Sequence, residues 1–195
     1  MSMNAEIMSG NEPDWMVSRR ANAIKRFNSL DAPTLKYGIT MKIDLSDFNF
    51  KNFAEPEVPE QKIISTKEVI VLDFNEAVKK YPELMKEKFL NELTPPVNKF
   101  EAFHIANWKK TTVLIIPKNT ELKEHIEINT FFQNTNVDNL LVIAQQNSSA
   151  TIIDFVENKG DEKNKFFKCA KLRQRNIHIL DKKSDNRKRC SNKLA

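Results

Sequence analysis

Three histidines and two cysteines are the side chains here most able to do chemistry at neutral pH: His104, His125, His178, Cys169 and Cys190. His125 sits between Glu124 and Glu127. Neighbouring strand residues face opposite ways, so an extended segment would put His125 and Glu127 on one face, an imidazole and a carboxylate that a metal could use. A solvated strand face is the commoner origin of such a pair. His104 lies in an apolar stretch without a carboxylate at triad spacing, which fits a packed histidine better than a base. Cys169 and Cys190 are too far apart for a Cys-x-x-Cys site and read as free thiols. No Ser/His/Asp or Cys/His set can be assembled from these spacings. The sequence therefore assigns no catalytic, cofactor-binding or metal residue, and predicts a protein that is not an enzyme. Glycine occurs only at Gly10, Gly38 and Gly160. Phosphate-cradling loops need several glycines close together so that the backbone can approach the anion, which excludes a P-loop or dinucleotide fingerprint.

The elements that would carry these residues change type along the chain. Asn11 can cap a first helix, with Pro13 and Asp14 in its first turn. Met16, Ala23, Phe27 and Leu30 recur at helical spacing until Asp31-Ala32-Pro33 stops the element. Arg19, Arg20, Lys25 and Arg26 read as its solvated side. Residues 34–66 read as an extended connector, in which Phe48, Phe50 and Phe53 pin the chain to the body. Glu68 to Leu72 is a short strand. Asp73 and Asn98 each stand three residues before a glutamate, the capping-box spacing, and each predicts a helix start. Pro82 separates a second helix from a third. At Thr111 the period falls from near four to two. Thr112 to Ile116, His125 to Phe132, Leu140 to Ala144 and Thr151 to Val156 then read as four short strands parted by polar turns. Such spacing fits a sandwich, a barrel or successive faces of a β-helix.

Charge divides the chain again. Up to Glu162 there are 19 Lys and Arg against 24 Asp and Glu; from Lys163 onward there are 12 against 2. Past Glu157 the alternation fades, leaving Asn176 to Leu180 as one possible strand and the rest as charged coil. A basic coil could contact phosphate backbones through counterion release, so nucleic-acid binding is the alternative function, although no aromatic ladder or reader motif accompanies it. Both cysteines lie in this segment, which suits a reducing cytosol. The opening MSMNAEIMSGNEPDW is too polar for a signal peptide, and no apolar run has bilayer length, so a soluble cytoplasmic protein is expected.

Several stretches, taken in order, resemble the SufB/SufD family of iron–sulfur assembly scaffolds over residues 11–157. They are Asn11-Glu-Pro-Asp-Trp-Met16 with Arg19 or Arg20 and Ala23; Asp44-Leu-Ser-Asp-Phe48; Val69 to Val78; Tyr81-Pro-Glu-Leu84; Asn98-Lys-Phe-Glu-Ala102; Asn107-Trp108; Val113-Leu-Ile-Ile-Pro117; Leu140 to Ala144; and Ala150 to Val156. The resemblance implies an α+β fold: an N-terminal helical domain over 1–110, and the first rungs of a right-handed parallel β-helix over 111–157. A basic tail, disordered or frameshifted, is then expected over 158–195. It also implies a cytoplasmic complex with a sister SufB/SufD-type subunit and a SufC-type ATPase that builds nascent iron–sulfur clusters. Relatives are longer, and their cluster-handling and SufC-docking portions have no counterpart in these residues. The expectation is thus a truncated, non-catalytic scaffold subunit without cluster ligands of its own. Lys109-Lys-Thr-Thr112 replaces the glycine-containing turn usual in the family after the tryptophan.

Overall fold

A computed structural model describes residues 12–31, 34–37, 41–44, 50, 56–90, 96–160, 166–173 and 177–183. The first helix, α1, is Asp14–Ser29, entered from an extended Pro13. Asn11, expected as its cap, lies outside the described residues. Met16, Arg20, Ala23 and Phe27 are its buried positions. Their spacing of four, three and four puts all four on one stripe. Arg20 is therefore not on the solvated side that the charge pattern suggested.

Strands β1 (Thr34–Tyr37) and β2 (Met41–Asp44) form a separate antiparallel pair. Phe48 and Phe53 lie outside the described residues. Phe50 packs edge-on against Phe27, with ring centroids 5.0 Å apart, and also meets Phe100 and Phe103. Strands β3 (Glu60–Ile64) and β4 (Ile70–Asp73) follow, and Asp73 opens helix α2, Phe74–Lys80. Both bonds of the capping box are present. Glu76 N–H donates to Asp73 Oδ1 at 2.8 Å, and Asp73 N–H donates to Glu76 Oε2 at 3.3 Å. Helix α3, Pro82–Leu90, begins on its proline, where a missing N–H costs no helical bond. Helix α4, Lys99–Asn107, starts after Asn98, whose Oδ1 accepts from Glu101 N–H at 3.0 Å.

From residue 110 onward the regular elements among the described residues are all strands: β5 (Lys110–Ile116), β6 (Ile126–Phe132), β7 (Asn136–Ala144), β8 (Ala150–Asn158), β9 (Phe166–Arg173) and β10 (Ile177–Lys183). These strands alternate between two sheets. The first sheet has the order β4-β5-β7-β9 and the second β10-β8-β6-β3. In each, three strands are parallel and the edge strand, β4 or β3, is antiparallel. The fold is mixed α+β. Two of these strands, β9 and β10, fall within the stretch that the sequence reading leaves mostly irregular. Ladder bonds depend on the neighbouring strand's edge, and β7 and β8 offer theirs in register whatever the charge of the arriving residues.

Two cores result. Met16, Phe27, Leu72, Phe74, Met85, Phe103 and Trp108 pack with Val113, Ile115, Val137, Leu141 and Ile143, so helices cover one face of the first sheet. Leu114, Ile116, Leu140 and Val142 pack with Ile126, Ile128 and Ile152, joining the other face to the second sheet. Among the described residues no helix is long and apolar enough to cross a membrane.

Candidate functional site

The tightest polar arrangement in the described residues surrounds Arg20. Its Nη2 lies 2.7 Å from Glu12 Oε1 and its Nε donates to Glu12 Oε2 at 2.8 Å. The remaining donors go to the end of α4: Nη1 to the Ala106 carbonyl at 3.0 Å and the Ile105 carbonyl at 3.4 Å, and Nη2 to the Trp108 carbonyl at 3.1 Å. The last carbonyls of a helix lack intrahelical partners, and a cation there also meets the negative end of the dipole. The guanidinium stacks 4.0 Å from the centre of the Trp108 ring. Every donor direction is thus occupied by protein. The arrangement fastens α1 to α4 where the chain enters β5, and leaves no open position for a substrate. The spacing Glu12 to Arg20 and a tryptophan after α4 were the available sequence signals. Which arginine turned inward could be found only from the helical phase of Met16 and Ala23. Arg19, its neighbour, is half-buried, and burial pushes its guanidinium down to about 10.

A second polar group lies between the sheets. Thr112 Oγ1 donates to Gln61 Oε1, and Gln61 Nε2 donates to Thr130 Oγ1 at 3.1 Å, so a β3 side chain ties β5 to β6. On β7, Asn136 and Asp138 are fully buried. The register sets Asp138 beside Lys110. Burial pushes the Lys110 ammonium down, and the Asp138 and Asp73 carboxylates partly restore it. His104 reaches β7 from α4, its Nε2 2.8 Å from the Asp138 carbonyl. A carbonyl can only accept, so Nε2 carries the proton and the histidine ties α4 to the sheet.

His125 and Glu127 do meet, with Nε2 2.7 Å from Oε1, at the start of β6 on the exposed face of the second sheet. Glu124 is exposed nearby. Cys169 stands in β9 at the register position beside Asn139. Cys190 lies outside the described residues. Among the described residues no three His, Cys, Asp or Glu side chains converge as a metal-ligand set.

No family model matches the chain. It is similar to an iron–sulfur cluster assembly SufBD family protein of Pyrococcus horikoshii, 31% identical over 91 residues, covering 45% of this chain and 20% of that protein. It is also similar to an iron–sulfur cluster assembly SufBD family protein of Staphylococcus haemolyticus, 23% identical over 193 residues, covering 73% of this chain and 40% of that one. The chain spans less than half the length of either relative. The motifs in their order and these two likenesses agree: the chain is similar to proteins of the SufB/SufD family.

Proposed function

We propose that this chain acts as a scaffold subunit in iron–sulfur cluster assembly, without catalysis of its own, and that its strand-rich half begins a right-handed parallel β-helix. The observation that carries the reading is the lockstep of the two parallel ladders. Lys110 lies beside Asp138 and Asp138 beside Lys168 in one sheet, while Ile126 lies beside Ile152 and Ala150 beside Ile177 in the other. Each circuit of the chain therefore adds one strand to both sheets, as stacked coils do.

The turns support this reading too. Asn119 and Asn147 both take left-handed backbone, φ 59 and 55, which asparagine tolerates better than most residues. They are stacked, with Asn147 Nδ2 donating to Asn119 Oδ1 at 3.1 Å and Asn119 N–H donating to the Gln146 carbonyl at 2.8 Å. The likeness to two proteins named for iron–sulfur cluster assembly supplies the biological role.

In this reading the chain works in the cytoplasm, pairing with a sister subunit of SufB/SufD type in a SufBCD-type complex. These residues are not expected to dock a SufC-type ATPase directly. Co-expression with a full-length sister subunit, followed by size-exclusion chromatography, tests the proposal. Co-elution of the two chains, with no stoichiometric retention of the ATPase by this chain alone, is the expected result. A chain that never co-elutes with such a subunit at micromolar concentration sinks the proposal.

A further inference from the structure

Strand β3 closes one side of the second sheet. It pairs with β6 along one edge, and among the described residues no strand lies along the other. A free edge presents a row of backbone N–H and C=O groups that can pair with another chain, and its side chains decide whether it does. Gln61 reaches inward to Thr130 of β6, whereas Glu60, Lys62 and Ile64 are exposed, so these three share the outward face. Val58, two residues before Glu60, is 65% exposed and Ile64 is 48% exposed. With Val97 they are the exposed large apolar side chains among the described residues, so two of the three bracket this one edge.

The outward residues run Val58, Glu60, Lys62, Ile64: apolar, acidic, basic, apolar. Reversed, that order is its own complement. An antiparallel copy with Gln61 opposite Gln61 places Glu60 against Lys62 twice and Val58 against Ile64 twice. A slip by one residue turns the outward face of one copy inward. A slip by two sets Lys62 against Lys62 or Glu60 against Glu60, and like charges directly opposite each other are unfavourable. Charge thus selects a single register. Within its own chain Glu60 lies beside Phe131 and Lys62 beside Asn129, so neither meets an opposite charge across that ladder. We propose that β3 pairs antiparallel with β3 of a second copy of this chain, about a twofold axis through the Gln61 pair, joining the two second sheets into one. Pro59 falls opposite Ile63 and has no N–H to give, so the ladder is short and its ends rest on the Val58–Ile64 contacts. The pairing does not depend on the scaffold reading.

Sedimentation equilibrium on the full 195-residue chain tests it. One short strand pair buries less than a standard interface, so a reversible monomer–dimer equilibrium is expected with Kd on the order of 10–100 μM. Lys62→Glu sets carboxylates against each other in both pairs, and Glu60→Lys does the same with ammonium groups. Each should weaken the dimer roughly tenfold or more, with circular dichroism unchanged because both side chains are exposed. The variant carrying both changes restores opposite charges and should return Kd to within about threefold of the parent. A merely structural effect of the single changes would not be rescued in this way. A parent chain that stays monomeric at about 200 μM, above the expected Kd, overturns the pairing. So do single variants that dimerise like the parent, or a double variant no better than either single one. A monomeric parent that co-elutes with a sister subunit, and loses it in Lys62→Glu, assigns the edge to that subunit and also overturns self-pairing. A chain that dimerises as expected but never co-elutes with a sister subunit sinks the scaffold reading alone.

Discussion

The two sheets have the same plan, three parallel strands and one antiparallel edge strand, yet they sit in different surroundings. All six residues from Thr111 to Ile116 are buried on β5, because helices cover one face and the second sheet covers the other. On β6 burial alternates residue by residue, because only one face is covered. A sheet buried on both faces needs a continuous apolar run, whereas one buried on a single face needs alternation. The difference also decides where chemistry can sit. Polar groups around the first sheet are consumed in holding layers together, as Arg20 and His104 are, while the second sheet leaves His125 and Glu127 open to solvent.

The strongest way to break this asymmetry is to loosen the helical cover. Arg20→Ala leaves Glu12 without its partner and uncaps α4, and removal of one member of a buried ion pair costs about 3–5 kcal/mol. Chemical denaturation should show a loss of that order, with the near-ultraviolet signal of Trp108 altered. A loss below about 1 kcal/mol would mean that the helices hold the sheet without this contact. Paired truncations within strands come next. Leu140 and Leu141 face opposite cores, so each change to alanine should cost about 2–5 kcal/mol. On β8, Ile152→Ala should cost as much, whereas Ile153→Ala, at a partly exposed position on the outward face, should cost less. Equal costs at Ile152 and Ile153 would show that something covers the second sheet in solution.

Smaller effects test the cap at the edge of the covered sheet. Asp73 ends β4 and caps α2, so Asp73→Ala should cost about 0.5–2 kcal/mol in the same denaturation measurement. This joint was legible in the sequence because capping depends on spacing alone. So were the joint at Asn98, the break at Pro82 and the change of period near Thr111, each fixed by residues a few positions apart. The run Thr112 to Ile116 and the alternation at His125 to Phe132 also announced their surroundings. Long-range facts were not legible. Arg20 turned inward to meet Trp108, a partner 88 residues away that no local pattern names. Strand β9 owes its place to the edge of β7, although its own composition argued for coil, while β10, of which Asn176 to Leu180 could be read as a strand, pairs with β8.

The smallest effect concerns the junction between the sheets. Glu57 accepts from the backbone N–H groups of Gln133 and Asn134 and, at 3.0 Å, from Asn134 Nδ2, holding the turn that carries the chain from β6 to β7. Burial pushes its carboxyl up, but the amide donors of Asn134 and Gln133 and the Asn134 side chain outweigh it, leaving it below the usual glutamate range. A carboxyl depressed in the fold binds protons more readily in the unfolded chain. Its contribution is therefore fully present above the unfolded pKa and is lost as pH falls through the lower, folded one. The carboxyl is in contact with solvent, so screening keeps the contribution small. Glu57→Gln should leave stability near neutral pH slightly reduced and flatten its decline on the acid side. An acid limb of unchanged slope in the variant would assign that decline to other carboxylates, and would leave the backbone bridge between Glu57 and Asn136 as the main tie at this turn.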